Sequence, residues 1–67
     1  MTIMLNGKST DVAANATVAD VVRTIVDADA SGVAVAVNEN VVPKRDWPRH
    51  RLAAGDAIEI IHAVQGG

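Results

Sequence analysis

The clearest hydrophobic pattern in the chain is a stripe of aliphatic residues with helical spacing. These residues occupy the i, i+3, i+4, i+7 and i+8 positions of one helix face, namely Val18, Val21, Val22, Ile25 and Val26. Thr17 and Asp20 have the spacing of a capping box, with Asp in place of the usual Glu. The pattern predicts a helix over about residues 18–28. Because valine is only a modest helix former, this helix should depend on packing its stripe against a sheet.

Short apolar runs around this stretch predict a sheet. Asn6-Gly7 lies between two extended runs, and it favours a tight β-hairpin because both residues accept positive φ. Three further strands are predicted after the helix, over residues 33–37, 41–42 and 57–61.

This order of elements (hairpin, helix, strand, short strand, strand) indicates an α+β domain. One helix packed on one face of a four- to five-stranded mixed sheet is the natural two-layer arrangement. It is the β-grasp, or ubiquitin-like, fold, in which the last strand lies centrally beside the first. We therefore expect residues 1–67 to form a single domain, with residues 63–67 as a flexible functional tail that leaves the edge of the sheet.

The predicted sheet has one face that the helix does not cover. Alternation along the strands sends one set of side chains to the helix, namely Ile3, Leu5, Val35, Ile58 and Ile60. The opposite face should carry Met4, Ala34, Ala36, Glu59 and Ile61. An exposed face of small and apolar residues indicates a partner surface, which we assign to Met4, Ala34, Ala36 and Ile61. The alternative is that the loop of residues 44–51 covers this face.

Composition excludes several functional classes. The 67 residues suffice for one small domain, and 49% hydrophobic residues is more than a disordered chain carries. A net charge of −2 argues against a nucleic-acid partner, and no apolar run is long enough to span a membrane. There is no cysteine, which excludes disulfides and thiolate chemistry. Because the first residues do not resemble a signal peptide, we expect a cytoplasmic protein.

The sequence contains no recognisable catalytic or metal-binding arrangement. His50 and His62 are not spaced like metal ligands, and no cysteine accompanies them. A Ser-His-Asp set, a phosphate-binding loop and paired catalytic carboxylates cannot be argued either. We therefore expect no metal, no catalytic residue and no enzyme activity.

Residues 44–51 concentrate four of the six basic residues around Trp47. This segment either docks to an acidic protein partner or is a solvated loop with Trp47 folded onto the core. Nucleic acid is the least favoured partner, because the whole chain is acidic.

The last two residues, Gly66 and Gly67, are the candidate chemical group. If the chain ends at Gly67 its α-carboxylate is free, and only about half a per cent of chains would end in two glycines by chance. A tail without side chains fits a narrow channel, and the absent Cβ leaves the carbonyl open to a nucleophile. These properties suit a carboxylate that an enzyme activates as a mixed anhydride with AMP. We predict that Gly67 reacts and that Ala63, Val64 and Gln65 contact the partner.

Four motifs are spread over most of the chain. They are Ala36-Val37-Asn38, Val41-Val42-Pro43, Leu52-x-x-Gly55-Asp56-x-Ile58-Glu59-Ile60 and Ala63-Val64-Gln65-Gly66-Gly67. Together they resemble the ThiS family, the sulfur carriers of thiamine biosynthesis, and the last motif is the most specific. Two positions depart from the family pattern: Glu39-Asn40 replaces an Asn-Gly-type turn, and His62 replaces a basic residue such as Arg.

The resemblance implies a cycle of sulfur transfer through Gly67. A ThiF-type enzyme would adenylate the Gly67 carboxylate with ATP, and a sulfur donor such as a cysteine desulfurase would supply the sulfur that displaces AMP. The resulting thiocarboxylate would give its sulfur to thiazole synthase, a ThiG-type enzyme. The carrier would need no cofactor of its own.

Two other functions would use the same terminal group. The first is a sulfur carrier for another pathway, such as the small subunit of molybdopterin synthase, which also ends in Gly-Gly. The second is a ubiquitin-like modifier joined to lysines through Gly67. What becomes attached to the carboxylate, sulfur or an amine, separates the modifier from the carriers.

Overall fold

The computed structural model of the chain describes residues 1–25 and 32–62. These ranges contain five strands and one α-helix, namely β1 (Thr2–Leu5), β2 (Lys8–Asp11), α1 (Val18–Arg23), β3 (Val33–Val37), β4 (Asn40–Val41) and β5 (Ala57–His62). The strand order is β2-β1-β5-β3-β4, in which β1 and β5 are parallel and all other neighbours are antiparallel. The predicted β-grasp arrangement is confirmed, with β5 at the centre of the sheet.

The β1–β2 hairpin forms at the predicted dipeptide. Asn6 and Gly7 have φ angles of 49° and 82°, which are left-handed values that Asn and Gly tolerate. Val12 follows the second strand, and its N–H donates to the Met1 carbonyl at 2.8 Å. The hairpin therefore has the position that local turn chemistry dictates.

The start of α1 also agrees with the sequence. The Thr17 hydroxyl accepts a hydrogen bond from the Asp20 N–H at 3.2 Å, and the Asp20 carboxylate accepts one from the Thr17 N–H at 3.0 Å. These two bonds satisfy main-chain donors that have no partner inside the helix. The predicted capping box is confirmed.

The predicted end of the helix is wrong. α1 stops at Arg23, well before residue 28, and residues 26–28 lie outside the described ranges. The N–H groups of Thr24 and Ile25 donate to carbonyls three residues back, at 3.1 and 3.0 Å, which is tighter than α-helical spacing. The Thr24 hydroxyl also donates to the Val21 carbonyl at 2.6 Å and so competes for the acceptor that would continue the helix. As a result Ile25, predicted to be buried, is 44% exposed.

The last two strands each differ from the prediction by one residue. β4 is Asn40–Val41 and not residues 41–42, because left-handed φ angles of 50° at Asn38 and 72° at Glu39 complete the turn early. β5 extends to His62, because its antiparallel pairing with β3 continues over all five residues of that strand.

The hydrophobic core lies between α1 and the sheet. Its buried members are Ile3, Val18, Val21, Val22, Val35, Val37, Val42, Trp47, Leu52, Ile58 and Ile60. Four of the five strand residues predicted to face the helix are in this core, and the fifth, Leu5, is partly buried against it. Burial of this aliphatic surface supplies the main driving force for folding.

Residues 44–51 pack beside the start of α1. They begin with a short 3₁₀-helix, Lys44–Asp46, where the sequence predicted irregular structure. Trp47 is 5% exposed, and its indole N–H donates to a main-chain carbonyl at 2.9 Å. The N–H groups of Val18 and Ala19 donate to carbonyls of this segment at 2.9 and 3.1 Å. The segment therefore lies on the helix side of the sheet, with Trp47 in the core.

Candidate functional site

β5 connects the core of the sheet to the candidate chemical group. It is the central strand, with β1 on one side and β3 on the other. Its last residue, His62, is also the last described residue of the chain. The tail residues predicted to react or to contact a partner lie outside the described ranges, namely Ala63, Val64, Gln65, Gly66 and Gly67. The roles assigned to them stay predictions.

The face of the sheet opposite α1 carries the other residues predicted to bind a partner. Met4 is 38% exposed and Ile61 is 60% exposed, while Ala34 and Glu59 are exposed and Ala36 is half-buried. The β3–β5 register places Ala34 opposite Ile61 and Ala36 opposite Glu59. Four of the five residues are therefore direct cross-strand neighbours. Met4 lies on β1, on the other side of β5.

The loop of residues 44–51 does not cover this open face, so that alternative is wrong. Carbonyls of the loop instead accept hydrogen bonds from N–H groups at the start of α1, and Trp47 lies in the core. Within the described ranges, the exposed fractions of Met4 and Ile61 show that the face is open to solvent. An exposed apolar patch on so small a domain is typical of an interaction surface.

Two asparagine side chains, which the sequence did not reveal as contacts, hold β5 at Ile60 and at its first residue, Ala57. The Asn6 Oδ1 accepts from the Ile60 N–H at 2.8 Å, and its Nδ2 donates to the Ile60 carbonyl at 3.3 Å. The Asn38 Oδ1 accepts from the Ala57 N–H at 3.0 Å. Asn6 was predicted only as a turn residue, because no sequence pattern relates it to a partner 54 residues away.

Charge is unevenly distributed over the chain. Residues 44–51 contain four basic residues and one acidic residue, a net charge of +3. The remaining residues contain two basic and seven acidic residues, a net charge of −5. Arg45, Arg49 and Arg51 are all exposed. A basic segment on an otherwise acidic domain favours orientation of the chain by an acidic partner.

One carboxyl group has a shifted pKa, and the cause is the helix cap. The hydrogen bond from the Thr17 N–H, and then the one from the Arg23 side chain, lower the pKa of Asp20 below its ordinary value of 3.8. Arg23 and Asp20 also form an exposed ion pair on the surface of α1. This shift belongs to the start of the helix and is separate from the open face.

Two other kinds of site are absent from residues 1–25 and 32–62. No group of three or more His, Cys, Asp or Glu side chains in these ranges could hold a metal ion. No helix in the same ranges is long and apolar enough to cross a bilayer.

Comparison with known proteins decides the family. Residues 3–67 match the ThiS family. The chain belongs to the ThiS family. Its sequence is 31% identical, over the full length of both chains, to the sulfur carrier protein ThiS of Escherichia coli strain K12.

Solved structures of ThiS proteins have the same fold as this ThiS-family chain. The crystal structure of the thiamine biosynthesis protein ThiS from Geobacter metallireducens is 28% identical in sequence, with a TM-score of 0.82 and full coverage of both chains. The solution structure of a thiamine biosynthesis protein from the same organism gives a TM-score of 0.79 at 28% identity, with all of this chain and 88% of that chain covered. The resemblance inferred from the four motifs is confirmed.

Proposed function

We propose that this chain is a sulfur carrier in thiamine biosynthesis. The observation that carries the proposal is the match of residues 3–67 to the ThiS family, together with the full-length similarity to the Escherichia coli sulfur carrier. The agreement of the whole fold with a solved ThiS structure supports it. In this role the chain is a cosubstrate that other enzymes modify, and it catalyses no step itself.

The reacting group in this proposal is the α-carboxylate of Gly67. A carboxylate oxygen attacks the α-phosphorus of ATP, the bond between the α- and β-phosphates breaks, and pyrophosphate leaves. A sulfur nucleophile then attacks the acyl carbon, and AMP leaves with the original carboxylate oxygen. When the donor is a persulfide, this attack gives an acyl disulfide. A second thiol then attacks the donor's sulfur atom, the S–S bond breaks, the thiol and the donor leave as a disulfide, and the thiocarboxylate remains on Gly67. The product is a thiocarboxylate in which one oxygen of Gly67 has been replaced by sulfur.

Two kinds of partner follow from this chemistry. A ThiF-type enzyme activates Gly67, with sulfur supplied by a donor such as a cysteine desulfurase, and a ThiG-type thiazole synthase receives the sulfur. Small side chains on the open face allow close approach of a partner, and exposed Ile61 adds apolar area that binding can bury. We assign partner docking to this face and the residues that follow it, namely Met4, Ala34, Ala36, Ile61, Ala63, Val64 and Gln65.

The function is tested by intact-protein mass spectrometry after incubation with ATP, a ThiF-type enzyme and a sulfur donor. The chain should gain the mass difference between one sulfur and one oxygen, and fragmentation should place this gain on Gly67. The matched control carries one extra residue after Gly67, which moves the carboxylate by up to about 3.5 Å. That chain should not react normally, because a misplacement of about 1 Å can reduce a rate a hundredfold.

Three results would contradict the proposal. Sulfur on a residue other than Gly67 would exclude the carboxylate as the carrier group. Normal reaction of the extended chain would show that the position of the carboxylate is unimportant. An isopeptide bond from Gly67 to a lysine, in place of sulfur, would indicate a protein modifier.

The docking face is tested by Ala34→Glu, with Ala14→Glu as the matched control. Ala34 is exposed on the open face, whereas Ala14 is exposed in the turn before α1, so both variants add the same charge at a tolerant position. Ala34→Glu should weaken binding to the activating enzyme at least about tenfold, because a buried unpaired carboxylate is costly. Ala14→Glu should bind normally. Equal affinity of the two variants, measured by titration calorimetry, would remove this face from the interface.

A further inference from the structure

Asn6 makes an unusual contact for a turn residue, because both polar atoms of its side chain bond one distant residue. Its Oδ1 accepts from the Ile60 N–H at 2.8 Å, and its Nδ2 donates to the Ile60 carbonyl at 3.3 Å. Its main-chain N–H donates to the Ile58 carbonyl at 2.9 Å. Asn6, a residue of the hairpin turn, therefore forms hydrogen bonds with both Ile58 and Ile60 of β5.

The side chain of Asn6 takes the place of the next peptide unit of β1. In a parallel ladder, the residue after Leu5 would accept the Ile60 N–H with its main-chain carbonyl. The left-handed φ of 49° turns the Asn6 backbone away from β5 at this point. The side-chain carboxamide of Asn6 replaces the main chain here and supplies an acceptor for the Ile60 N–H and a donor for the Ile60 carbonyl. The β1–β5 ladder is thereby extended beyond the last residue of β1.

The position of this contact along β5 links it to the tail. Ile60 is the last buried residue of β5, at 8% exposed, and the next two residues, Ile61 and His62, are exposed. On the β1 side of β5, hydrogen bonds join Ile60 to Asn6, beyond the final β1–β5 pair, Leu5 and Ile58. On its β3 side, pairing continues to His62. Asn6 therefore holds the β1 side of the strand at Ile60, two residues before His62, the last described residue.

We infer that Asn6 is a positioning residue that sets the direction in which β5 presents the Gly66-Gly67 end to the activating enzyme. The inference rests on the proposed function. Without the side chain, the end of β5 is held on its β3 side only and can fray from β1. Fewer bound chains then place the Gly67 carboxylate in line with the α-phosphate of ATP.

The expected effect is on turnover more than on docking. Met4, Ala34 and Ala36 stay on the sheet, and Ile61 keeps its pairing with Ala34 on the β3 side, so the KM for the carrier should change by no more than about twofold. A misplacement of about 1 Å can reduce a rate a hundredfold, and a strand that frays part of the time should lower kcat by about tenfold. The KM for ATP should not change.

The substitution that removes the contact with least disturbance is Asn6→Gly, because glycine keeps the left-handed φ. Asn38→Gly is the matched control. Asn38 also has a left-handed φ, of 50°, and its side chain also accepts from a β5 N–H, but at Ala57, the first residue of the strand. Both variants lose side-chain hydrogen bonding to β5. Asn6→Gly releases the strand at Ile60, whereas Asn38→Gly releases it at Ala57.

The experiment combines two measurements on wild type and both variants, made below their melting temperatures. Hydrogen exchange by NMR reports on the Ile60 N–H, and pyrophosphate release with the activating enzyme gives kcat and KM. Asn6→Gly should speed exchange at Ile60 by at least about tenfold, as expected for the loss of its hydrogen bond. It should also lower kcat about tenfold, whereas Asn38→Gly should leave kcat within about twofold of wild type.

Each other outcome has a definite meaning. Faster exchange at Ile60 with unchanged kcat would overturn the positioning role and leave the proposed function intact. Equal losses of kcat in both variants would assign the effect to general destabilisation and overturn the inference. Failure of wild type to release pyrophosphate would overturn both the proposed function and the inference. If Asn6→Gly does not fold, Asn6→Asp replaces it, since it keeps the acceptor for the Ile60 N–H and loses the donor to the carbonyl.

Discussion

Trp47 is the side chain whose truncation should most clearly separate stability from function. It is 5% exposed in the core, and its indole N–H donates to the Val42 carbonyl at 2.9 Å. Trp47→Phe keeps an aromatic ring but removes this donor, and Val42 is itself only 6% exposed. Water therefore has little access to the carbonyl that loses its partner.

The expected loss of stability can be worked out from these contacts. A buried carbonyl left without its donor costs about 1–3 kcal/mol, and the contacts of the lost ring add on the order of 1 kcal/mol. We expect a total of about 2–4 kcal/mol. A chain of 67 residues has an unfolding free energy of roughly 3–10 kcal/mol. At about 4–8 °C per kcal/mol, the melting temperature should fall by about 8–32 °C.

Thermal and urea unfolding followed by far-UV circular dichroism measure this effect. Tryptophan fluorescence cannot follow Trp47→Phe, because Trp47 is the sole tryptophan of the chain. The control is Val41→Ala, since Val41 is 75% exposed and its truncation should change stability by about 0.5 kcal/mol or less. A fall of less than about 4 °C for Trp47→Phe would refute the reasoning. Below its melting temperature this variant should still acquire sulfur normally, because Trp47 lies on the helix side of the sheet.

Three further predictions concern the hairpin, the helix cap and the basic segment. Gly7→Ala should lower the free energy of unfolding in urea by about 1 kcal/mol, because Gly7 has a left-handed φ of 82° that alanine disfavours. The space around Gly7 is open, so an unchanged free energy of unfolding would contradict backbone strain as the cause. The lowered pKa of Asp20 contributes stability that is present above about pH 3.8 and is lost as pH falls through the folded-state pKa. Asp20→Asn should therefore flatten the dependence of stability on pH in acid, and an unchanged profile would contradict the cap as its cause. The double variant Arg49→Glu and Arg51→Glu should slow association with an acidic activating enzyme in stopped-flow measurements at low salt. If the association rate of the variant depends on salt as that of wild type does, residues 44–51 do not steer association.

The sequence by itself determined the type and order of nearly all the elements. The Asn6-Gly7 hairpin, the capping box at Thr17 and the alternation in β3 appear where local patterns indicate. These features depend on residues within a few positions of each other, so one sequence contains all the information they need. The ThiS-family resemblance was likewise readable, because each of its motifs is a short stretch of the chain.

Only the tertiary structure decided which residues far apart in sequence meet, and where the local patterns end. The periodicity of α1 continues past Arg23, but the Thr24 hydroxyl competes for the carbonyl that the next turn needs. The basic segment could have covered either face of the sheet, and burial of Trp47 beside the start of α1 placed it on the helix side. The bonds from Asn6 to Ile60 arise because β1 and β5 run parallel as neighbours, and that pairing is set by the whole sheet.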